Sequence, residues 1–65
     1  MANLAQQIAC VKREIAMRER VYPRRVADGK MKQQDADREI EAMRAVLETV
    51  EKVERVSKQL GIREQ

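Results

Sequence analysis

Two long runs with helical periodicity stand on either side of a single short break, and little else in this chain can organise a fold. In the first run Leu4, Ile8, Val11 and Ile15 alternate four and three residues apart, the spacing of one stripe along an α-helix. The same spacing continues through Arg18, Tyr22 and Arg25. In the second run Ala36, Ile40, Met43, Leu47 and Val50 form one stripe, and Val46, Val53 and Leu60 form a neighbouring line seven residues apart. Together these make a stripe wider than a two-stranded seam requires, as on a helix with more than one neighbour.

Punctuation residues set the boundaries. Asn3 is placed to cap the first helix by accepting from an orphan amide. Gly29 and Gly61 are placed as helix stops. The only Pro, Pro23, lies inside the first run. It cannot donate to the carbonyl of Glu19 and its ring crowds that carbonyl. The expected result is a helix kinked there that runs on to about Asp28, rather than one that breaks and restarts with Pro23 at its first position. The fold class is therefore all-α: helix 1 over about 3–28, a turn over 29–32, helix 2 over about 33–60 and a frayed tail over 61–65. Pro23, Gly29 and Met31 are the expected turn residues. A link this short forces an antiparallel hairpin. It places Ile15 opposite Leu47, Val11 opposite Val50, Arg18 near Met43, and Tyr22 near Glu39 and Ile40.

Composition says how such a hairpin has to be completed. The chain has 65 residues with no Trp, no Phe and one Tyr. A chain of this size buries only about 60% of its unfolded surface and needs a disulfide, a metal or a partner subunit. One Cys and no His exclude an internal disulfide and the usual zinc ligand sets. Self-association remains, as a homodimer or larger, with two hairpins making a four-helix bundle. Its expected core and oligomer residues are Ile8, Val11, Ile15, Ile40, Met43, Val46, Leu47, Val50, Val53 and Leu60. A ridge of Ala2, Ala5, Ala9 and Ala16 suits close helix approach or simply favours helix. Cys10 fits a reducing compartment, no apolar run spans a membrane and no leader pattern opens the sequence, so the expected location is cytoplasmic.

Charge is uneven along the chain. Residues 12–32 hold eight Lys or Arg against three acids, and residues 33–65 hold six against eight. The basic excess collects around the turn, in Arg18, Arg20, Arg24, Arg25 and Lys30. Two Arg at helical spacing can flank the Tyr22 ring, and Glu39 can reach them from helix 2. One reading is an ion pair that closes the core. The other is a contact surface, because Tyr and Arg dominate binding hot spots; Arg18, Arg20, Tyr22, Arg24, Arg25 and Lys30 are its members. Phosphate contacts would use the same cations, although one aromatic makes a poor stacking platform for single strands. Enzyme chemistry lacks its parts. There is no His for base work, Ser57 has no evident base partner and no glycine-rich loop is present. No cofactor or metal is implied.

The pattern Arg18-x-x-Val21-Tyr22-Pro23-Arg24-x-Val26-x-x-Gly29-Lys30-Met31, followed by Ala36-Asp37-x-Glu39-Ile40-x-x-Met43, resembles one found in short phage and prophage proteins. It covers 26 of the 65 residues, counting from Arg18 to Met43. The resemblance implies a source and a context. Small proteins of that kind often bind and inhibit a host protein, or serve phage DNA metabolism. The expected function is a non-catalytic protein that binds and modulates a host protein, in the host cytoplasm. The alternative is a nucleic-acid or nucleotide-binding accessory protein using the basic hairpin end.

Overall fold

A computed structural model describes residues 2–61 and shows an antiparallel helical hairpin, with no strand among those residues. Helix α1 spans Leu4–Ala27 and helix α2 spans Gln33–Gln59. Residues 62–65 of the expected frayed tail lie outside the described residues. Among the described residues no helix is long and apolar enough to cross a membrane.

Each end of the hairpin follows from local backbone chemistry. Asn3 does cap α1: the Gln6 amide donates to its Oδ1 at 2.8 Å, and the Asn3 amide donates to Gln6 Oε1 at 3.0 Å. Two orphan donors are satisfied reciprocally, a capping box in which Gln6 supplies the second half. At the other end the Gly29 amide donates to the Val26 carbonyl and the Lys30 amide to the Arg25 carbonyl, at 3.0 and 2.9 Å. That double closure needs a left-handed residue, and Gly29 supplies it with φ 73°. The N-cap of α2, Lys32, has no side-chain cap bond. Asp35 in the first turn faces the positive end of the dipole, and Gln33 Nε2 donates to Asp37 Oδ1 at 2.8 Å.

Pro23 belongs to α1 and not to the turn. The helix continues four residues past it, and the proline is exposed. Its missing amide leaves the Glu19 carbonyl without its ladder donor. Hydrogen bonds on either side, and the packing of Tyr22 and Val26 against α2, carry the helix through.

Between the helices the inward positions are Leu4, Ile8, Val11, Ile15, Arg18 and Tyr22 from α1, and Ala36, Ile40, Met43, Leu47 and Val50 from α2. Ile8, Ile15, Tyr22 and Ala36 are buried; the others are half-buried. Beyond Tyr22 the inward position passes to Val26, and Arg25 is exposed. A straight helix drifts about 20° per heptad against a strict seven-residue repeat, so the fourth residue turns in where the third was expected. The drift also leaves the Arg25 guanidinium in water. On α2 the seam keeps its spacing past Val50 but fills it with Glu54 and Ser57, both half-buried.

Candidate functional site: the basic closed end

Tyr22 is 9% exposed and Ala36, the small residue that makes room on α2, is 1% exposed. The Arg18 and Arg25 guanidinium carbons lie 5.8 and 5.9 Å from the Tyr22 ring centroid, within the range of cation–π attraction. The two arginines are not equivalent. Arg18 is half-buried, and its Nη1 donates to the backbone carbonyl of Glu39 at 2.9 Å, with the Glu39 carboxylate at 4.0 Å. Its Nη2 reaches Glu14 at 3.5 Å, while its buried Nε has no partner. Arg18 thus ties α1 to the main chain of α2 from a seam position that would otherwise hold an apolar residue. Arg25 covers the ring from the solvent side.

On the opposite flank Arg44 pairs with Glu19 across the hairpin. With Tyr22, Pro23, Ala36 and Ile40 they line a shallow open groove. Sequence reasoning missed this pair. Its signal was available, because opposite charges stand at facing positions on the flank of the two seams.

The sequence-derived contact residues therefore separate into two sets. Arg18 and Tyr22 are tied into the hairpin. Arg20, Arg24, Arg25 and Lys30 are exposed around it, together with Lys32. The neighbouring acids Glu19, Asp28, Asp35 and Asp37 are exposed as well. Of the turn residues, Met31 is half-buried and Gly29 is exposed. Among the described residues, no group of three His, Cys, Asp or Glu stands close enough to hold a metal. Cys10 is exposed on α1, and Ser57 lies in the α2 seam.

The arrangement is a buried, hydrogen-bonded base with exposed cations around it. It can meet a carboxylate-rich or phosphate-rich surface. No family model, curated protein or solved structure matches the chain.

Proposed function

We propose that this chain is a non-catalytic interaction protein of the phage type. In this reading it pairs with itself into a four-helix bundle, α1 bends at Pro23, and the basic closed end binds and modulates a host protein through an acidic surface. One observation carries it: Arg20, Arg24, Arg25 and Lys30 are exposed around an anchored core of Tyr22, Arg18 and Ala36. Cations held over an ordered base lose less freedom on binding than cations on a loose loop. The same exposed cations favour the second reading, a nucleic-acid accessory protein.

Salt separates the two. Nucleic-acid binding through these cations would fall steeply with salt and vanish in Arg24→Ala plus Arg25→Ala. The protein-binding reading expects no DNA binding at low salt. It also expects capture of one host protein, by a photo-crosslinker at position 24, that Arg20→Glu abolishes. Absence of any crosslinked host protein would refute it.

A further inference from the structure

We infer that a second copy of this chain packs, in the reversed direction, on the α2 face that carries Val46, Val53, Val56 and Leu60. The inference rests on the self-pairing in the reading above and names its surface and sense. These four residues are 44, 47, 43 and 70% exposed. With Ala42 and Thr49, also exposed, they continue an alternating four-three spacing along α2. That is a second complete seam, turned about a quarter of the way around the helix from the one that faces α1. Cys10, Val11, Met17 and Met43, with Arg13 and Glu14 at its rim, line a hollow on one side of the hairpin. Helical spacing leads from Met43 straight on to Val46 and Val53, so the exposed stripe of α2 runs on from that hollow.

Surface area argues that something covers it. A compact monomer of 7.6 kDa exposes roughly 4300 Å², against the 5351 Å² of this hairpin. The excess, about 1000 Å², is close to the ~800 Å² each partner buries in a stable interface. The radius of gyration, 15.0 Å, likewise exceeds the roughly 11 Å expected of a compact chain of this length.

Complementarity argues that the cover is another copy. Turned end for end, the stripe meets itself in register. Ala42 faces Leu60 of the second copy, Val46 faces Val56, and Thr49 faces Val53, each pair occurring twice. Charge sets the direction. Side by side in the same direction, two hairpins would crowd their basic closed ends together; reversed, those ends lie at opposite tips. The charged side chain nearest the axis is Lys52. It comes near its counterpart there, with Glu48 of each copy one turn away.

Sedimentation equilibrium and disulfide trapping on the full chain test this. The expected mass is about 15 kDa, twice the 7.6 kDa chain. Val53→Glu, at a position the lone hairpin leaves half in water, is expected to weaken the dimer by 100-fold or more. In a Cys10→Ser background, Ala42→Cys and Leu60→Cys chains are mixed and oxidised under native conditions. They are expected to form mixed disulfides in at least tenfold excess over like-with-like ones. A folded monomer at 100 µM, or a dimer indifferent to Val53→Glu, overturns the proposal. Predominance of like-with-like disulfides overturns the reversed direction. The trapping result stands even if Val53→Glu fails to fold. Arg20→Glu, which tests host binding, leaves this dimer intact, so either reading can fail without the other.

Discussion

Around the turn, α1 and α2 are held by a buried Tyr22 over Ala36, by Arg18 on the Glu39 carbonyl, by the Glu19–Arg44 pair and by the glycine-closed turn itself. Toward the free ends, Ile8 is the buried residue of the seam, and its α2 side runs out into Glu54 and Ser57. There the apolar residues of α2 have moved one step around the helix, onto a face α1 does not touch. The closed end is complete within one chain. The open end leaves Val53, Val56 and Leu60 exposed on a face outside the seam. The lesson is that one helix can hold its hairpin partner over part of its length and present an exposed apolar stripe over the rest, by letting that stripe change face part-way along.

The largest test of this contrast compares Tyr22→Ala with Leu60→Ala. Removing Tyr22 takes away the buried ring and leaves Arg18 facing a cavity, at a cost of about 3 kcal/mol. That is a large share of any stability a small domain possesses. Circular dichroism during urea titration should show most of the helix signal lost at low denaturant. Leu60→Ala is expected to cost less than about 0.5 kcal/mol within one hairpin, as for other exposed positions, and any further loss should depend on protein concentration, as a weakened dimer requires. Equal effects would mean that the closed end is not where one chain is held together.

A smaller effect of opposite sign is expected from Pro23→Ala. The proline is exposed, so no packing is lost, and an amide is returned to the Glu19 carbonyl inside an unbroken helix. A gain of roughly 2 kcal/mol is expected, seen as a midpoint raised by 8 °C or more in a domain this small. A loss of stability would show that the proline shapes the closed end in a way alanine cannot.

The hairpin itself could be read from the spacing of apolar residues, because a four-three seam and a lone glycine between two such runs admit few arrangements. The Asn3 cap was visible for the same kind of local reason. Three things at the closed end were not. Helix drift hands the inward position from Arg25 to Val26, and no residue pattern distinguishes two neighbours at that precision. Arg18 was placed beside the Glu39 carboxylate, but its stronger bond is to the backbone carbonyl, which every residue carries and no sequence marks. Pro23 is expected both inside a helix that runs on to about Asp28 and among the turn residues; the helix does continue past it to Ala27, four residues short of Met31, so it takes no part in the turn. At the open end, Val56 lies off the seven-residue line of Val46, Val53 and Leu60. It joins them only when the exposed stripe is read with both of its spacings.

The smallest expected effect sharpens the contrast most locally. Asn3→Ala removes the side-chain acceptor for the Gln6 amide and, with it, half of the reciprocal pair that starts α1. The cap is worth about 1 kcal/mol, a factor of roughly five in an opening equilibrium. If the two ends are held separately, that factor should appear in hydrogen exchange of the first-turn amides, Gln6 and Gln7. The amides of Val21, Tyr22 and Arg24 to Val26, beside the closed end, should exchange at their original rates. A uniform acceleration along both helices would mean that the hairpin opens only as a whole, and that its open end draws on the same contacts as the turn.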